Sequence, residues 1–138
     1  LQVVPDVMFE AASVVSRFPD IDFIITHTGL PLDGSHAGWM TWRNGMRRLA
    51  SCPNAYVKIS GLPMLDWQWT SASLRPWVET AIELFSASRC MLGSNFPVDG
   101  LHARYGDLMD AYCVPLDDLS SAERRAVRFE TARRVYRL

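Results

Sequence analysis

Short apolar runs alternate along this chain with longer stretches in which apolar positions recur at helical spacing. Leu1 to Val4 reads as the end of a strand, closed by Pro5. Asp6 then caps a helix with Val7, Met8, Ala11, Val15 and Phe18 on one face, ended by Pro19-Asp20. Phe23 to His27 is a β-branched strand followed by the loop TGLPLDGSHAG, and Trp39 to Ala50 is a second helix with Arg43, Arg47 and Arg48 on its wet side. Pro53-Asn54 breaks the chain before the strand Ala55 to Ser60, and a loop from Gly61 to Ser73 carries Trp67 and Trp69. Trp77, Val78, Ala81, Ile82 and Phe85 mark the cleanest amphipathic helix. Cys90 to Ser94 is the fourth strand, Tyr105, Leu108, Met109 and Tyr112 mark another helix, and Ser120 or Ser121 opens an Arg-rich helix running to Leu138.

The order is β-α-β-α-β-α-β-α-α, with connections too long for hairpins. Parallel strands need such crossovers, so the class is α/β. No repeat, low-complexity tract or linker divides residues 1–138, which leaves one domain or one piece of a larger one. Four parallel strands suit a small doubly wound sheet or half of an eight-stranded (β/α)8 barrel. The first strand-to-helix turn, Val4-Pro5-Asp6, has neither GxGxxG nor a P-loop, which weakens the nucleotide-binding version. Barrel enzymes carry their chemistry at the C-terminal ends of strands, and His27, Lys58, Ser60 and Asn95 sit at those ends here.

Composition narrows the function classes. Hydrophobic residues make up 49% of 138 and the net charge is −1, so no basic footprint points to nucleic acid. Lys58 is the only lysine against thirteen arginines, a bias that reads as base composition more than function. Cys52, Cys90 and Cys113 are odd in number and widely spaced, which fits a reducing cytoplasm better than a disulfide framework or a zinc pair. No apolar run has membrane-spanning length, and the chain opens on Leu1 without Met or a leader pattern, so a natural start is expected to be missing.

Strand alternation sharpens the candidate site. If His27 points into a barrel, Phe23 and Ile25 share its face while Ile24 and Thr26 face helices. Tyr56, Lys58 and Ser60 share one face of their strand, with Ala55, Val57 and Ile59 on an aliphatic face suited to helix packing; Asn95 goes with Gly93 and Met91. His27 and Asn95 are the catalytic candidates, and Lys58, Ser60, Gln2, Trp67 and Asp99 the substrate-binding ones. Bland alternatives stand beside them: a satisfied rim histidine, a lysine snorkelling to water, an Asn that only makes a turn before Phe96-Pro97, and tryptophans packed on a rim. His36 and His102 read as structural or solvated. Templates such as HExxH, HxH and GxSxG are absent.

The segments FPDIDFIITHTGLP, NAYVKISGL and RCMLGSNFPVDGL, in that order, with the closing RRVYRL, resemble the later strand motifs of the amidohydrolase-related group of metal-dependent hydrolases. That group includes L-fuconolactonase and lactonases that open pyrone dicarboxylate and sulfomuconolactone. Its members are barrels about twice this length, so the resemblance implies the C-terminal half of a TIM barrel, strands five to eight. It matches His27 to the histidine of HxGxP, Lys58 and Ser60 to KxSG, and Asn95 to the position where many relatives carry the aspartate of GSDWP. A divalent metal, zinc or manganese, is the cofactor the family implies, with His27 the one candidate ligand. Asn95 in place of that aspartate, and the missing HxH of the first strand, weigh against it, because an amide neither takes a proton nor neutralises a cation as a carboxylate does.

The expected activity is hydrolysis of a lactone or similar cyclic ester or amide by water, with His27 orienting substrate or relaying a proton, Asn95 holding the water and Asp99 a distant reserve base. The expected partner is a small molecule, with neither nucleic acid nor membrane, and a homo-oligomer remains open. Two alternatives come from other classes. The chain as given is an inactive fragment whose open strand edges invite association, or the whole protein is a decarboxylase or hydratase of the same superfamily.

Overall fold

The computed structural model describes all of residues 1–138. Three strands form where four are expected: β1 (Phe23–Ile25), β2 (Ala55–Ile59) and β3 (Cys90–Leu92), all parallel and in that spatial order. At the predicted first strand only one rung exists. The Leu1 amine donates to the Ile24 carbonyl at 2.7 Å, and the Thr26 N–H donates to the Leu1 carbonyl at 3.0 Å. One rung beside β1 does not make a ladder, and Pro5 opens a 3-10 turn that takes the chain away.

Six α-helices accompany the strands: α1 (Met8–Val15), α2 (His36–Ala50), α3 (Ser71–Phe85), α4 (Tyr105–Cys113), α5 (Ser121–Arg125) and α6 (Thr131–Tyr136). A π-helical turn over Ala126–Glu130 joins the last two, so the Arg-rich terminal segment runs on as one winding rod. Asp6 does not cap α1; it lies in the turn Pro5–Val7, and α1 starts after it without a side-chain cap. The second helix begins earlier than Trp39, because the Ser35 hydroxyl accepts from the Gly38 N–H and starts α2 at His36. Capping boxes, Thr70 with Ser73 and Ser120 with Glu123, open α3 and α5.

Register decides which face each side chain takes. Val57 pairs with Ile25 on one side and Cys90 on the other, and these residues lie in the buried helix-side core with Ala55, Ile59, Val78 and Phe85. The opposite face carries Ile24 with Tyr56 and Lys58 with Met91. The expectation for β2 therefore matches, and that for β1 is reversed: Phe23 and Ile25 face the helices. Alternation does not extend from β1 to His27, because β1 ends at Ile25 and the chain has left strand geometry at His27, where φ is 53°.

Two polar anchors fix the N-terminal pole of the sheet. Arg89 donates to the carbonyls of Ala50, Cys52, Ala55 and Phe85 at 2.9–3.3 Å, tying the ends of α2 and α3 to the start of β2. The Asn54 amide donates to the carbonyls of Val15, Phe18 and Ile21 and holds the end of α1 against the same corner. Stability is thus built at one pole, leaving the other for polar side chains.

Candidate functional site at the strand ends

Beyond β1 the backbone runs through four successive left-handed residues, His27, Thr28, Gly29 and Leu30, with φ of 53°, 53°, 69° and 45°. A β-branched residue such as Thr28 rarely tolerates this, at a cost of about 1–3 kcal/mol. The fold offsets it locally. The Thr28 hydroxyl donates to the Ser60 carbonyl at 3.2 Å and accepts from the Ser60 N–H at 3.3 Å, while buried Trp42 donates its indole N–H to the Thr28 carbonyl at 2.8 Å. The turn is thereby stitched to the end of β2 and to α2. It brings His27 Nδ1 to 3.2 Å from Ser60 Oγ. Gly61, at φ 70°, makes room: a Cβ there would stand 2.8 Å from His27 Nδ1. Thr28 was not singled out from sequence, and an HTG tripeptide carries no signal that its threonine hydroxyl would bind the next strand.

After β3, Gly93 lies against Lys58, whose Cδ would be 3.0 Å from an added Cβ. Asn95 is left-handed at φ 55°, a conformation Asn accepts, and its carbonyl accepts from the Asp99 N–H at 3.1 Å. This closes a turn that brings Asp99 back onto Asn95, whose amide donates to Asp99 Oδ1 at 3.0 Å. Asp99 is not distant. It is 0% exposed, and its Oδ2 is the one buried side-chain oxygen or nitrogen without a hydrogen-bond partner.

His27, Ser60, Asn95 and Asp99 therefore follow three consecutive parallel strands at the same pole. Lys58 points from the same sheet face, and its ammonium lies 5.2 Å from the centre of the Tyr136 ring. Gln2 is exposed and makes no hydrogen bond. Trp67, 72% exposed, stacks on His102 at 4.9 Å with planes 12° apart, and Trp69 donates to the His102 carbonyl. These contacts clasp the 61–73 loop to the turn that carries Asp99, since the His102 N–H donates to the Asp99 carbonyl. His36 is exposed at the start of α2.

Burial, the largest influence, lowers the His27 pKa; the charge of Asp99 works against it and that of Lys58 with it. Burial raises the Asp99 carboxyl, opposed by the Asn95 amide, the charge of His27, the Gly61 N–H and His102. A cleft of 410 Å³ lies nearby among Pro31, Leu32, Leu62, Leu65 and Trp77, but no cavity of the chain is lined by His27, Lys58, Ser60, Asn95 or Asp99. As for a metal, His27 and Asp99 supply one imidazole and one carboxylate, and no three His, Cys, Asp or Glu side chains are grouped to hold an ion. These residues do not by themselves fit a divalent cation.

A parallel sheet packed on helices, with polar side chains gathered past the C-terminal strand ends, has the build of part of a (β/α)8 enzyme. The chain belongs to the amidohydrolase family, whose profile matches residues 1–138. It is 42% identical over 132 residues to the uncharacterised protein y4mH of Sinorhizobium fredii, covering 95% of this chain and 44% of that protein. It is 32% identical over 128 residues to an L-fucono-1,5-lactonase of Burkholderia multivorans, covering 83% and 43%. Its structure superposes on a crystal structure of an amidohydrolase from Burkholderia multivorans with bound Zn at a TM-score of 0.92 and 27% identity, covering 100% of this chain and 51% of that one. The chain spans about half the length of these relatives. No helix is long and apolar enough to cross a membrane.

Proposed function

We propose that the whole protein hydrolyses a lactone, of a sugar acid or a similar polar cyclic ester, at the C-terminal mouth of the strands. One observation carries this reading: an imidazole, a hydroxyl, an amide and a buried carboxylate follow three consecutive parallel strands at one pole. Lactonases among the chain's relatives support the choice of substrate class.

The reaction needs water activated against a carbonyl whose oxygen gains negative charge. His27, held by Ser60 on one ring nitrogen, takes a proton from water as the water oxygen bonds to the acyl carbon. Lys58, on the same face, lends positive charge to the oxygen that becomes anionic. The ring C–O bond then breaks, the departing alkoxide takes the proton back from His27, and a hydroxy acid is released. A depressed imidazole pKa suits this role, because the neutral form persists at neutral pH.

The test is a panel of aldonolactones assayed by proton release with the whole protein and its His27→Ala variant. Turnover that falls by a factor of at least about 100 in the variant supports the reading. Wild-type rates in the variant, or release of carbon dioxide with no lactone opening, would overturn it.

A further inference from the structure

Asn95 ends its strand with an amide, which can present either a donor or an acceptor depending on how it is turned. Its surroundings remove that choice. Nδ2 faces Asp99 Oδ1 at 3.0 Å and Met64 Sδ at 3.9 Å, both acceptors. An ionised carboxylate has nothing to donate, so the flipped amide would set two oxygens against each other. With Nδ2 directed inward, Oδ1 is the atom left over; it has no partner within residues 1–138 and is not buried. Asp99 itself is fully buried and cannot meet substrate directly.

We propose that Asp99 is a positioning residue: its carboxylate locks the Asn95 amide so that Asn95 offers its carbonyl oxygen, and only that oxygen, to the mouth. The pair Asn95–Asp99 then presents one hydrogen-bond acceptor at the end of β3, backed by a negative charge placed one side chain behind it. This rests on the reading above only for what the acceptor meets there, which is the hydrogen of the attacking water.

A side-chain resonance and a kinetic series test the two parts separately. In a ¹H–¹⁵N spectrum of the whole protein, the Asn95 NH₂ pair, assigned by its loss in Asn95→Asp, should show one proton shifted downfield and slow to exchange. Asp99→Ala should collapse that shift. An Asn95 pair in the wild type with free-amide shifts and fast exchange overturns the lock, whether or not any lactone is turned over. For the kinetics, Asp99→Ala, which removes the acceptor altogether, should lower kcat by about 100-fold with KM within about 3-fold, since misplacing a water-orienting group affects the chemical step more than binding. The exchange variant Asn95→Asp/Asp99→Asn restores a donor behind an acceptor and should recover at least about a tenth of wild-type kcat. Wild-type kcat in a folded Asp99→Ala, or no recovery in a folded exchange variant, refutes positioning. Absence of lactone turnover in the wild type would instead sink the proposed function and leave the spectrum to decide the lock.

Discussion

His27 Nδ1 and Ser60 Oγ stand 3.2 Å apart, although the two residues follow different strands and are separated by 33 positions. The contact exists because the chain leaves β1 through a left-handed turn that swings His27 across to the end of β2. Held on one nitrogen, the ring keeps the other free to exchange a proton, which makes the pair sensitive to pH and to the turn that builds it.

The first consequence concerns pH. Burial lowers the His27 pKa, with Lys58 lowering and Asp99 raising it. The acid limb of kcat/KM, where the base becomes protonated, should therefore lie below the ordinary imidazole value of about 6.5. Stability follows the same sign. The unfolded chain binds the proton first, so His27's contribution is intact above about pH 6.5 and is lost as pH falls through the folded value. Activity and urea unfolding measured across the same pH series check both limbs; an acid limb above 6.5 would contradict the assignment.

Asp99 has the opposite sign. Burial raises its pKa, so its contribution is present below the ordinary carboxylate range and is lost as pH rises through the folded value. The wild type should lose stability relative to Asp99→Asn over that interval. Paired urea titrations at acid and neutral pH read the difference, and parallel pH curves for the two proteins would count against a buried, titrating Asp99.

The left-handed turn depends on one hydroxyl. Thr28→Val keeps the shape but removes both bonds to Ser60, leaving a buried N–H and carbonyl without partners. Stability should fall by about 2–6 kcal/mol, given about 1–3 kcal/mol for each of the two unsatisfied buried groups. The midpoint of denaturant unfolding measures this, and lactone turnover should fall with it as His27 loses its place.

At the other pole, Arg89→Ala removes bonds to four carbonyls and should lower stability by at least about 3 kcal/mol, since hydrogen bonds to charged groups contribute about 1.5–3 kcal/mol. Arg89→Lys should recover little, because an ammonium lacks the planar fork that reaches several carbonyls at once. Thermal unfolding of the two variants compares them directly.

Much of the architecture was legible in the residues themselves. Apolar periodicity over Trp77 to Phe85 located helix α3, whose first turn at Ser71 lies in the stretch read as loop, and the aliphatic face of β2, since period and burial obey the same geometry. Parallel strands followed from the length of the crossovers, and the spaced motifs around His27, Lys58 and Asn95 carried the family. Only the tertiary structure reversed the faces of β1, because alternation holds within a strand and β1 stops two residues before His27. It alone moved Asp99 from a loop beyond β3 to a buried partner of Asn95, through a turn set by one left-handed residue. Local pattern determines which residues form strands and helices; where the chain leaves them, contacts with distant segments such as Ser60 and Trp42 select the backbone path, and with it the atoms that meet.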